Sequence, residues 1–306
     1  MKLLDTPILR DADDNAGFYV AMGGTTTGWP GAQLFKSADS GSTYASMLSE
    51  TDAATIGATT GVLGNFTVGN IFDNGNSVTV VLSSGGPLVS ATADQVLNGS
   101  NTAVLGAHGR WEVINYKTAT LTAANTYLLS GLLRGRRGSE WATGTHVTGD
   151  AFVQASLTTW QRAPMSTGEI GVSRLYKAPP FGTTVGAAAA VSFTESAVGL
   201  RPYAPVNLAG TRDGSNNLTI TWKRRSRIGY GTLNAIVPLG ETTESYSVDV
   251  MNGAAVVRTI ASATQTASYT AANQTTDGFT PGNPITVNVY QLSGTVGRGT
   301  VATATV

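Results

Sequence analysis

The chain contains no cysteine, which excludes disulfides, thiolate nucleophiles and cysteine-ligated zinc or iron–sulfur centres together. Only two histidines are present, His108 and His146, and they form neither an i, i+4 pair nor a His-x-His pair, so a metal site built on them has little support. Charge is scarce. Asp, Glu, Lys and Arg make up 12% of the 306 residues, about half of the ~25% usual in soluble domains, and 19 cationic side chains balance 19 anionic ones. A neutral chain sets up no general field that would gather nucleic acid or anionic membrane, so recognition has to be local and nucleic acid is not an expected partner. No stretch approaches the ~20 apolar residues of a bilayer-spanning helix. The opening MKLLDTPILRD is interrupted by Asp5 and Pro7 and lacks the continuous apolar core of a signal peptide, so synthesis in the cytoplasm is the expectation. Disorder is not implied, because 41% of the residues are hydrophobic and the missing charge is replaced by Thr, Ser, Asn, Gly and Ala.

Helical periodicity is also missing: apolar residues rarely recur at i, i+3, i+4 and i+7, and Gly or β-branched pairs interrupt each window. Alternation with a period of two is present instead. Ser77–Leu82, Leu218–Trp222, Tyr246–Val250 and Ile285–Tyr290 place β-branched or aromatic side chains on one face and Thr, Ser or Asn on the other. Asn74-Gly75, Asp213-Gly214 and Asn252-Gly253 supply residues able to take the positive φ of two-residue hairpins. The fold class is therefore all-β.

Two prolines in Arg201–Pro205 stiffen an extended segment and mark a boundary. Residues 1–200 read as a composite β-rich region, with two subdomains split near 61–65 as one option. Residues 201–306 have the size of one β-sandwich domain. Trp222 closes the strand LTITW, Tyr246 and Tyr269 follow, and the Gly-rich turn Ser293–Gly299 precedes the last strand. This pattern resembles a fibronectin type III domain, which implies a spacer or binding module and no reaction.

Reactive constellations are thin. There is no G-x-S-x-G elbow, and His108 and His146 both sit in Gly-rich loop contexts. Asp11-Ala-Asp13-Asp14-Asn15 approximates the start of a calcium loop, but Met22 stands where a bidentate Glu is needed, and an acidic turn is the better reading. No cofactor is expected. Two basic clusters remain, Arg134-Gly-Arg136-Arg137 and Lys223-Arg224-Arg225-Ser226-Arg227. Guanidinium groups alternating with Gly can approach carboxylates in bidentate geometry. Arg134, Arg136, Arg137, Glu140, Arg224, Arg225 and Arg227 are thus candidate assembly contacts, and an intrachain network with Glu140, Glu112 and Asp150 is the equal alternative for the first cluster.

Trp111–Ile114 (WEVI), Tyr127–Glu140 (YLLSGLLRGRRGSE) and Gly149-Asp150 carry a resemblance, reinforced by Leu3–Pro7, Trp29–Ala32 and Arg224–Arg227. The chain resembles the distal part of tail-tip, or baseplate hub, proteins of long-tailed bacteriophages and gene transfer agents. Those proteins carry further barrel domains ahead of this region, and an activity residing there is not carried over. The resemblance implies a non-enzymatic structural protein of the virion tail tip that assembles with itself as a homotrimer and with other tail-tip proteins, and that serves attachment to the host surface. A receptor- or carbohydrate-binding module is the alternative, with Trp141 as candidate surface-binding residue and Trp29 and Trp160 as further stacking platforms. A glycan hydrolase is the third reading.

Overall fold

The computed structural model describes residues 1–26, 28–156, 160–229 and 236–306. They form two compact units, Met1–Gly199 and Leu200–Val306. Both are built from strands.

The first unit contains β1 (Lys2–Leu4), β2 (Gly17–Ala21), β3 (Ala32–Ser37), β4 (Ala45–Glu50), β5 (Ile56–Thr59), β6 (Phe72–Ser84), β7 (Thr102–Gly106), β8 (Glu112–Ala123), β9 (Thr126–Arg136), β10 (Ala151–Gln154), β11 (Gln161–Pro164), β12 (Ser173–Lys177) and β13 (Val191–Thr194). Six of them close an antiparallel barrel in the order β10-β5-β6-β9-β8-β7, sealed where Phe152 pairs with Leu105. The flanking segments build two small sheets, β1-β2-β11 and β13-β12-β3-β4.

Strand alternation decides what fills each layer. Val78, Val80 and Leu82 of β6, Leu105 of β7, Tyr116 of β8 and Phe152 of β10 point into the barrel. The intervening Val104, Val113, Ala151 and Val153 turn outward, yet they are buried as well, against Leu4, Tyr19, Ala21 and Trp160. Phe18 and Val20, on the reverse side of β2, pack with Leu34, Tyr176 and Phe193 of the second small sheet. All five residues of β2 are therefore buried, because the strand has protein on both faces, and its sequence GFYVA reads as a continuous run with no polar side. Residues 61–65 lie in the β5–β6 connection, where Leu63 joins the barrel core.

Two turn signals act differently from simple hairpin chemistry. Asn74-Gly75 makes no hairpin; it forms an irregularity inside β6, between Asp73 and Ser77, where the Asp73 carboxylate accepts the amides of Gly75 and Asn76. Asp213-Gly214 opens a five-residue loop held by the Asp213 carboxylate, which accepts from the Ser215 and Asn217 amides. Two short α-helices also occur among the described residues, α1 (Ala93–Leu97) and α2 (Ala271–Thr276). Each begins at a threonine N-cap, and at α1 the reciprocal bonds of Thr92 and Gln95 complete a capping box.

The second unit contains β14 (Val206–Arg212), β15 (Leu218–Lys223), β16 (Tyr246–Asn252), β17 (Ala255–Ser262), β18 (Thr266–Tyr269), β19 (Thr286–Ser293), β20 (Gly297–Arg298) and β21 (Ala302–Thr305). Its sheets run β14-β15-β18 and β17-β16-β19, with β20 and β21 both added to β19. This is a fibronectin type III-like sandwich. Trp222 on β15 meets Tyr246 on β16 edge to face, ring centroids 5.0 Å apart, so the indole joins the two sheets at the centre of the core.

Candidate functional site

The densest polar cluster in the first unit is a line of six ionisable side chains on the barrel. Glu112 starts β8 and Arg134 nears the end of β9, so the pairing of these strands brings them together. Arg134 Nε donates to Glu112 Oε1 at 2.8 Å and Nη2 to Oε2 at 2.9 Å, a bidentate fork. Its Nη1 reaches Asp73 at 3.1 Å and the Gly64 carbonyl at 2.9 Å. On the other side His146 Nε2 lies 2.6 Å from Glu112 Oε2, and Nδ1 lies 3.0 Å from Asp150 Oδ2. Arg110 closes the line with a bidentate pair on Asp150. Arg134, Glu112, Asp73, His146 and Asp150 are all buried.

Burial by itself would raise the Glu112 carboxyl, but the hydrogen bonds from His146 and Arg134 outweigh it and hold the group below the usual carboxylate range. Asp150 is lowered too, with burial opposed by the bonds from Arg110 and His146. Gly135 takes φ +58°, and a Cβ there would stand 2.8 Å from the Glu140 backbone, so the Arg-Gly-Arg spacing is a steric requirement of the turn leaving β9. Chemically the cluster is closed. Both ring nitrogens of His146 are engaged by carboxylates, which leaves neither facing a nucleophile.

The remaining sequence-derived candidates are dispersed. Arg136 donates to Asn70 at 3.3 Å, and Arg137 donates to the Leu9 carbonyl at 2.7 Å with Asp11 at 3.6 Å. Glu140 is exposed, on the 3-10 turn that follows β9. In the second unit Arg224 holds the carbonyls of Val237 and Pro238, Arg225 donates to the Ala204 carbonyl and stacks on Tyr203, and buried Arg227 pairs with Glu241. Asp13 accepts from Arg10 and Tyr19, while Asn15 accepts from Arg162, so oxygens of the calcium-like stretch serve protein donors. Among the described residues no group of three His, Cys, Asp or Glu side chains is placed to hold a metal ion. Trp160 is 6% exposed and packs beside Tyr19, Trp29 is partly buried, and Trp141 stands out at 37%. His108 lies exposed in the β7–β8 turn with its ring 5.0 Å from that of Phe193.

A second acidic pair has no signature in the sequence. Asp5 accepts from the Ser196 amide and hydroxyl and from the Val198 amide, fastening the end of the first unit to its beginning. Glu195 beside it is 1% exposed, and neither carboxylate oxygen has a hydrogen-bond partner among the described residues. Burial, then the charge of Asp5, push its pKa up to about 7; the amides of Gly17 and Ala197 and the Arg162 guanidinium temper the rise without completing a bond. The advantage of a neutral Glu195 in the folded chain is complete below pH 4.5 and is lost as pH climbs through about 7. Glu195→Gln is therefore expected to be more stable than the parent at pH 8, by up to about 3 kcal/mol at ~1.4 kcal/mol per pKa unit, and nearly equal to it at pH 4.5. Urea unfolding at the two pH values checks this, and an identical difference at both would refute it.

Residues 54–153 match the family model described as Rcc01698-like, C-terminal. The matched stretch begins just before β5 and ends within β10, so it is coextensive with the closed barrel. No curated protein sequence matches the chain. Among solved structures, domains d3–d4 of the rat CD45 extracellular region align at 15% identity over 45% of this chain and 65% of that one, with a TM-score of 0.25. The FN5 domain of Drosophila Lar aligns at 16% identity over 34% of this chain and 94% of its own, with a TM-score of 0.22. The FN1–FN3 domains of chicken CNTN1 align at 14% identity over 80% and 65%, with a TM-score of 0.26. The chain thus spans 65% of the CD45 and CNTN1 fragments.

Proposed function

We propose that the chain is a structural component of a phage tail tip, at the distal hub or the base of a central fibre, assembled as a homotrimer and taking part in attachment to the host surface. The observation that carries this reading is how the segment Tyr127–Glu140, the most specific element of the resemblance, is used. Its Tyr127, Leu129 and Leu132 line the barrel, Arg134 ties β9 to β8 and β6, and the left-handed Gly135 and Arg137 shape the exit turn. Every one of these roles concerns shape. A chain poor in charge also suits packing between subunits, since interface cores are depleted in charged side chains.

Immunolabelling of intact particles with an antibody raised against residues 1–306 tests the location. Label at the tail end is expected, and label on the head or absence of label defeats the reading. Light scattering of the purified chain is expected to give three times the mass of 31.5 kDa.

A glycan- or receptor-binding role is favoured at one position, because Trp141 is a large aromatic left partly open to solvent on the turn following β9. Under that reading Trp141→Ala reduces retention on a host-surface glycan array at least tenfold while the unfolding midpoint is unchanged. Retention equal to the parent would remove Trp141 from consideration.

A further inference from the structure

The two small sheets of the first unit each end in an uncovered strand. Among the described residues β1 pairs only with β2, and β13 pairs only with β12. Both strands line one cavity of about 490 Å3, β1 through Lys2 and Leu3 and β13 through its whole length, while the β7–β8 connection contributes His108 and Trp111. A strand with one neighbour presents a row of N–H and C=O groups to whatever lies beside it. Extended chain occupies roughly 160 Å3 per residue, from a rise of ~3.3 Å, an inter-strand distance of ~4.8 Å and a sheet spacing of ~10 Å. The cavity has room for about three residues.

Its side chains are biased toward donors. Trp111 is 4% exposed and its indole nitrogen is sealed off, so the ring serves as wall and the available donors are Lys2 and His108. Neither the Lys2 ammonium nor the His108 ring is held in an ion pair or hydrogen bond among those residues. The acid on the lining, Asp150, is already committed to Arg110 and His146. Uncovered strand edges call for an extended backbone, and surplus donors call for negative charge.

We propose that this cavity is a strand-addition slot that takes an extended segment of a partner protein bearing an acidic side chain. Main-chain bonds to β1 or β13 supply the pairing, and Lys2 and His108 receive the carboxylate at the mouth. The slot is independent of the tail-tip reading, since its own edges and donors define it.

The test uses the full chain with 15N-labelled tryptophan and the capped peptide acetyl-TVDVT-amide, with acetyl-TVKVT-amide and sodium acetate as comparators. The indole signal of Trp111, assigned by its loss in Trp111→Phe, is expected to shift saturably with the Asp peptide. Affinity is expected to fall about fivefold or more for the Lys peptide and for the Lys2→Glu variant, the size of one partly exposed charge pair. His108→Ala provides a second variant should Lys2→Glu unfold. No saturable shift at millimolar peptide, an equal response to the Lys peptide, or the same shift produced by acetate at equal concentration would each overturn the proposal. In the last case the cavity is a small-anion pocket.

Discussion

Arg134→Met is expected to cost the Met1–Gly199 unit about 3–5 kcal/mol, the usual penalty for removing one partner from a buried ion pair. The guanidinium is 1% exposed and joins Glu112 and Asp73, both at 2% or less, so the variant takes the arginine charge away from two buried carboxylates in the barrel wall and leaves them to His146 and to backbone and Asn76 donors. Met is chosen because it keeps much of the stem volume, which confines the loss to charge and hydrogen bonding. Arg136→Met, two residues along and donating to Asn70 at the surface, should stay within about 0.5 kcal/mol of the parent. The acid limb provides an independent readout. Glu112 and Asp150 have folded-state pKa values below their ordinary ones, so their contribution is present above about pH 4 and drains away as pH falls through the lowered values. The parent should therefore lose stability steeply below pH 4, and the Arg134→Met variant should show a shallower slope there. A variant as stable as the parent in urea, with an unchanged acid limb, would show that the network does not hold this unit together.

Trp222→Ala should be comparably severe in the other unit, about 3–5 kcal/mol for loss of a large core aromatic. Trp222 is 1% exposed and touches Tyr246 across the sandwich, so truncation opens a void between the sheets that neither backbone can close. Hydrogen exchange is the measurement of choice, because it reports on each strand separately. Amides of β15, β16 and β19 are expected to exchange faster by about two to three orders of magnitude, following the conversion of ~1.4 kcal/mol per decade. Trp222→Phe, which retains an edge-on partner for Tyr246, should recover most of the protection. Full protection in the alanine variant would show that the sandwich does not depend on its central indole.

Much of the fold is legible in the amino-acid sequence because one face of many strands is wet. β15 reads LTITWK with burial alternating residue by residue, and β19 repeats the pattern, so the second unit follows from alternation and the position of one Trp. The first unit is harder. In β2, β7 and β10 every or nearly every residue is buried, and a strand covered on both sides carries no period to detect. Barrel closure rests on β7 meeting β10 across about 45 intervening residues, a pairing that local patterns do not encode. The capping box at Thr92-x-x-Gln95 is written in the sequence, but a helix of five residues leaves no periodicity around it to draw notice. His146 reads as an ordinary loop residue. Its four-residue spacing from Asp150 is the one local clue, and Glu112 joins only through the folding of a distant strand.

β5 and β10 are neighbours in the barrel, and the Gln154 amide bonds the Thr55 carbonyl at 3.0 Å, so the polypeptide enters and leaves the six-stranded module at one doorway. The module is thus contiguous in sequence while its surroundings are not: β1–β4 come before it and β11–β13 after it. That arrangement gives an order of events during synthesis. The barrel can close on contacts made entirely within itself, and in doing so it brings the emerging C-terminal flank to the place where the earlier flank is waiting. The loop between β2 and β11 then loses the roughly 100 residues of the module and is closed through the about 40 residues that flank it.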